Sequence, residues 1–123
     1  MIVEQSATTL EVGIDNLLNS AKADYVKRYG SDVNSDVAKK MIGQCNDGFV
    51  VKSGSKYVKI MCGNGGTPGG SCWGFVVKED TPKFKKGDIL KPAGWNKPAT
   101  NAARGNVLDG NYEIHWTGPV YLS

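Results

Sequence analysis

Three observations predict an α+β fold in which two N-terminal helices are followed by an antiparallel β-sheet. Apolar residues recur at spacings of three and four before Gly48 and alternate with a period of two after Phe49. No helical stretch remains in the second half to link parallel strands, so the pairing there is antiparallel. At 123 residues and 13.2 kDa the chain supports one core. It is therefore read as a single domain, residues 1–123, with a helical part (1–48) and a β-rich, ligand-binding part (49–123).

The first helix carries Leu10, Ile14, Leu17, Ala21 and Tyr25 on one stripe. Thr8, followed three residues later by Glu11, predicts a capping-box start, and Gly30 predicts the stop. A second, shorter helix is predicted from about Ser35 to Cys45, with Val37, Met41 and Cys45 on its inner face and Gly48 ending it. Phe49–Lys52 and Lys56–Cys62, joined by Ser53-Gly54-Ser55, read as a hairpin. Trp73–Lys78 is the third strand, with Trp73, Phe75 and Val77 on one face. Short strands follow around Ile89 and Leu90, at Tyr112–Trp116 and at Val120–Leu122. Of the 16 glycines, 13 lie at or after Gly48, so this half is rich in turns. There is no internal repeat and no linker.

Composition excludes several classes. Hydrophobic content of 40% and charged content of 22% are those of a folded chain. No apolar run approaches the ~20 residues needed to span a bilayer. Met1–Glu4 opens no basic-then-apolar leader, so a cytoplasmic protein is expected. The three cysteines, Cys45, Cys62 and Cys72, show no CxxC spacing and are expected to be reduced thiols in small apolar sites. Zinc would need a fourth ligand, for which His115 is the sole histidine; no metal and no cofactor are expected.

Charge is uneven along the chain. Residues 1–48 hold five basic groups against seven acids, a net of −2; residues 49–108 hold ten against three, a net of +7; residues 109–123 return to −2. A positive middle steers anionic ligands, although lysines on strand faces also discourage edge pairing.

No catalytic constellation is legible. His115, between Ile114 and Trp116, has no nucleophile motif nearby and reads as a satisfied structural histidine. Glu79 and Asp80 are adjacent in a turn and read as solvated. The run from Gly63 to Gly70 lacks the ending and following helix of a phosphate-binding loop, and reads as a long hairpin loop rather than an anion nest.

The stretch Lys83–Asn106 is more informative. It sets Phe84 and Trp95 among amines and adds the side-chain amides of Asn96, Asn101 and Asn106. Aromatic faces, cations and amides together suit a nucleotide. The expected site has Phe84 or Trp95 stacking on a base, Arg104 forked onto phosphate, Lys85 and Lys91 adding charge, and Asn96 and Asn101 on ribose or base edges. Arg28, at the end of the first helix, is a further phosphate contact from a neighbouring subunit. Arg104 is singled out because guanidinium binds phosphate bidentately and the chain has only two arginines. The plain alternative makes Phe84 and Trp95 core residues and Arg104 a surface charge.

KFKKGDILKPAGWNKPATNAARGNVLDGNY, with the ending WTGPVYL, resembles small phage-encoded proteins and is most similar to Thoeris anti-defence proteins of the first type. The resemblance covers roughly Phe49–Leu122 and rests on general pattern. It implies a phage nucleotide sponge: a non-enzymatic homo-oligomer that binds glycocyclic ADP-ribose, a cyclic nucleotide immune signal, between subunits and withholds it from its effector. It also implies a second site for cyclic oligonucleotides in some members. A nucleic-acid-binding module, motivated by the positive middle, and a small hydrolase or transferase acting on a nucleotide are the rival readings. A homo-oligomer is expected on independent grounds as well, because Tyr112, Trp116 and Tyr121 cluster near the C-terminal strands and form an apolar patch for a partner.

Overall fold

The computed structural model describes residues 1–64 and 67–120. Helix α1 spans Leu10–Lys27 and begins one residue later than the Thr8–Glu11 spacing predicts. Thr9 is the cap, in extended conformation, and its Oγ1 accepts the Val12 N–H at 3.2 Å. Glu11 then lies in the first turn, where the exposed N–H groups favour an anion. Ile14, Leu17, Ala21 and Tyr25 are buried as their spacing predicts. The chain turns at Gly30, whose φ of +53° suits a residue without a Cβ, and passes through a short 3-10 turn, Gly30–Asn34.

Helix α2 spans Asp36–Gly48, capped by Ser35 Oγ accepting the Ala38 N–H at 3.1 Å. Its inner face differs from the predicted one. Val37 is 71% exposed and Met41 is also exposed, whereas Ala38 and Gly48 are buried. At the C-terminal end the reason is proximity: a Cβ at Gly48 would lie 2.7 Å from the Gly63 backbone nitrogen, so α2 meets β3 there through a residue without a side chain.

The strands form three antiparallel sheets. Strands β2 (Val50–Ser53), β3 (Tyr57–Asn64), β4 (Thr67–Val77) and β5 (Ile89–Leu90) pair in that order. A second sheet joins β1 (Ile2–Val3), β8 (Tyr112–His115) and β9 (Gly118–Pro119), and a third is the small hairpin of β6 (Pro92–Gly94) and β7 (Lys97–Pro98). The fold is α+β with its helices ahead of the large sheet, and β1, the β6–β7 hairpin and β9 are additions to the predicted set. The strand predicted at Val120–Leu122 lies, past Val120, outside the described residues.

The four-stranded sheet has two apolar faces. One carries Val58, Ile60, Trp73 and Val76 against α1 and β8. The other carries Phe75, Val77 and Leu90, covered by Phe84 from the following loop. Trp73 therefore does not share a face with Phe75 and Val77, as strict alternation predicts. Ile60 pairs with Gly74 but Met61 pairs with Cys72, so Trp73 is an extra residue in a bulge that turns its ring to the helix side. The indole N–H then reaches the His115 carbonyl at 3.2 Å and ties the two larger sheets together.

The glycine-rich run is mostly strand rather than a long loop: Asn64 pairs with Thr67, and only Gly65 and Gly66, outside the described residues, lie between them. Of the three aromatics expected to form an apolar patch, two are described. Tyr112 is buried and Trp116 is partly covered, while Tyr121 is outside the described residues. No helix among the described residues is long and apolar enough to cross a membrane.

Candidate ligand-binding cleft

Alternation along β3 sends Val58 and Ile60 to the helix side and Tyr57, Lys59 and Met61 to the opposite face. There they floor a cleft of about 590 Å³. Its walls are Lys52 and Ser53 of β2, the turn from Gly54 to Lys56, and Trp95 and Asn96 at the tip of the β6–β7 hairpin. The two-residue tip forms because Gly94 pairs with Lys97, leaving Trp95 and Asn96 to project from the end of the hairpin.

Lys59 organises the hairpin tip. Its Nζ lies 3.6 Å from the centre of the Trp95 ring and donates to Asn96 Oδ1 at 2.9 Å. Trp95 nonetheless stays 47% exposed, so a flat surface remains open. Lys52 is the direct cross-strand partner of Lys59, a like-charge pair that is destabilising unless an anion lies beside it. Lys78 braces the turn from outside, donating to Ser53 Oγ at 2.9 Å and to the Gly54 carbonyl at 2.8 Å. Among the described residues no carboxylate, histidine or cysteine lines the cleft.

The structure divides the residues singled out in the sequence. Trp95 and Asn96 come together in the cleft. Phe84 does not: it is buried with Phe75, Val77 and Leu90, and offers no face to a base. Arg104 donates to the carbonyls of Ala102 and Val120, at 3.3 and 2.9 Å, and to Asn101 Oδ1 at 3.2 Å. The fork expected for phosphate, and the Asn101 amide expected for a base edge, thus hold the chain near Val120. Lys91 Nζ donates to the Pro119 carbonyl at 2.8 Å, and burial followed by the Arg104 charge lowers its pKa. Lys85 is exposed, its backbone N–H donating to Asp88 Oδ2 at 2.9 Å.

Asn106, read as a ligand amide, is a buried hub. It donates to the Lys86 carbonyl and to Asp88 Oδ1, both at 3.0 Å, and accepts from the N–H groups of Leu108 and Asp109. Arg28 stacks 5.2–5.6 Å from the ring centres of Tyr25, Tyr29 and Trp116, on the helix side of the molecule. His115 is exposed rather than a satisfied core histidine, because β8 alternates and places Tyr112 and Ile114 inward. Asp80 accepts the Lys86 N–H at 2.8 Å, and Glu79 is exposed.

The three thiols are free and partly buried, and burial raises the pKa of each. Among the described residues no group of three histidine, cysteine or acidic side chains is placed to hold a metal. Lys52, Lys56, Tyr57 and Lys59 were not singled out as site residues in the sequence, yet one signal marks two of them: the period-two pattern sets Tyr57 and Lys59 opposite Val58 and Ile60. The predicted Ser53–Ser55 connection would set Lys52 across from Lys56, whereas the observed register pairs it with Lys59.

A search of the curated proteins and of the solved structures finds no match to the chain. A family model described as a family of unknown function (DUF7717) matches residues 4–121. The chain belongs to that family.

Proposed function

We propose that this protein binds a small phosphate-bearing nucleotide in the Lys59–Trp95 cleft and holds it without cleaving it. The observation that carries this reading is the cross-strand pair Lys52–Lys59 beside the half-open Trp95 ring, in a cleft where no described residue brings a carboxylate to neutralise it. An anion between the lysines relieves their repulsion, and a base stacks on the open indole surface. Asn96, and the Ser53 and Ser55 hydroxyls, supply hydrogen-bonding groups for sugar or base edges. Sequestration needs affinity and no general base, and the lining residues provide the former. On the resemblance to Thoeris anti-defence proteins, the ligand is glycocyclic ADP-ribose and the role is that of a phage sponge for an immune signal.

Calorimetric titration with ADP-ribose and with glycocyclic ADP-ribose tests the reading, followed by heat release and mass analysis of the ligand. Binding by the wild type, loss of about tenfold or more in Lys52→Ala and Trp95→Ala, and recovery of intact ligand support it. Recovery of an altered ligand makes the protein an enzyme. Failure of both compounds to bind, with tight binding of an oligonucleotide that weakens steeply with salt, favours the nucleic-acid module.

A further inference from the structure

A second cavity, of about 230 Å³, opens on the helix side, between α1, α2 and the far end of β3. Tyr25, Met41, Cys45, Phe49, Cys62 and Trp116 make its walls predominantly apolar, and Gln44 adds one polar group. Sites for drug-sized ligands run to roughly 300–1,000 Å³, so this one suits a single ring with a short substituent.

Beside two of its walls lies a cation, Arg28, with no counter-ion among the described residues. Arg28 follows Asp24 by four residues on α1, a spacing that ordinarily yields an ion pair. Asp24 is turned elsewhere: Oδ2 accepts the Trp116 N–H at 3.0 Å, and Oδ1 lies 3.9 Å from the Met1 amino group. Arg28 lies instead over Tyr25 and Trp116, its guanidinium carbon 5.3 and 5.2 Å from their ring centres. Those same two rings line the cavity. Among the described residues no carboxylate lies within ion-pair distance of Arg28 and no acceptor takes its N–H groups. An apolar pocket thus has, against two of its rings, a cation that no described acceptor engages.

We propose that this cavity binds a small aromatic carboxylate, with its ring among Tyr25, Phe49 and Trp116 and its carboxylate on Arg28. The guanidinium is already held among three rings, so it meets a planar carboxylate with little ordering left to lose. The site is independent of the nucleotide cleft, which lies on the opposite face of the sheet.

Proton–nitrogen NMR titration of the isotope-labelled protein with phenylacetate is the test, with phenylacetamide as the neutral isostere. Phenylacetate is expected to shift the amides of Tyr25, Cys45, Phe49 and Trp116. Phenylacetamide, and phenylacetate on Arg28→Gln, are each expected to bind about tenfold more weakly. Trp95→Ala is expected to leave the phenylacetate affinity unchanged, which separates this site from the cleft. Arg28 is exposed, so its replacement leaves the fold intact. An absence of shifts at the cavity overturns the proposal. So does equal affinity for acid and amide, or an Arg28→Gln variant that binds as the wild type does.

Discussion

Lys59 and Trp95 meet face-on, with the ammonium nitrogen 3.6 Å from the centre of the ring and its hydrogen bond to Asn96 Oδ1 pinning the hairpin tip to β3. One side chain from the central sheet therefore orients two of the residues that the sequence marked for base recognition. A double-mutant cycle with Lys59→Met and Trp95→Ala, read by denaturant unfolding, is expected to show a coupling of about 0.5–1 kcal/mol, the range for a cation–π pair at an exposed site. Additive effects would mean that the tip is held by its own turn alone.

Arg104 is expected to act on stability and not on ligand affinity. Its guanidinium donates to three oxygens of the protein, including the Val120 carbonyl. Arg104→Ala should lower unfolding free energy by about 1–3 kcal/mol and increase amide exchange near Val120, with the nucleotide affinity of the folded fraction unchanged. A large loss of affinity at unchanged melting temperature would return Arg104 to the binding site.

Asn106 closes the loop that follows β4 through four hydrogen bonds from one side chain. Asn106→Leu should destabilise by about 2–4 kcal/mol, since buried backbone groups lose their partners while nothing replaces them. Asp88→Asn should cost less, because an amide oxygen still accepts from Asn106. Thermal melts of the two variants give the order.

Tyr112 is buried, and its hydroxyl has no hydrogen-bond partner among the described residues. Burial pushes its pKa up to about 12 from 10.0. The neutral form is therefore favoured in the folded state, and its contribution to stability is full below pH 10 and lost as pH rises through 12. Tyr112→Phe should raise stability at neutral pH by about 1 kcal/mol, by removing an unsatisfied polar atom, and should make the alkaline loss of stability shallower. A variant less stable than the wild type at pH 7 would show that the hydroxyl has a partner.

Gly48→Ala tests the seam between α2 and β3. The added Cβ would meet the Gly63 backbone nitrogen at 2.7 Å and its Cα at 2.8 Å, and backbone yields less readily than a side-chain tip. A loss of about 1–3 kcal/mol is expected, despite alanine's better helix propensity. Gly43→Ala, with open space around it, should be neutral or stabilising and serves as the control.

The sequence by itself determined the α1 stripe, the β2–β3 hairpin and the α+β order, because each is written in the local periodicity of neighbouring residues. It also marked Trp95 and Asn96, whose chemistry is visible in the residue types. Only the tertiary structure decided which aromatic was core and which was open. Phe84 and Trp95 look alike in sequence, but Phe84 closes the second face of the sheet while Trp95 rides a hairpin tip. The donors of Arg104 and Asn106, and the acceptor oxygen of Asn101, were likewise committed to partners brought close on folding. Lys52 and Lys59 became a pair through strand register. The bulge at Trp73 overrode the alternation that the sequence implies, because a single extra residue reverses which face a side chain meets. Composition records what a side chain is able to do, and long-range packing decides which groups are left free to do it.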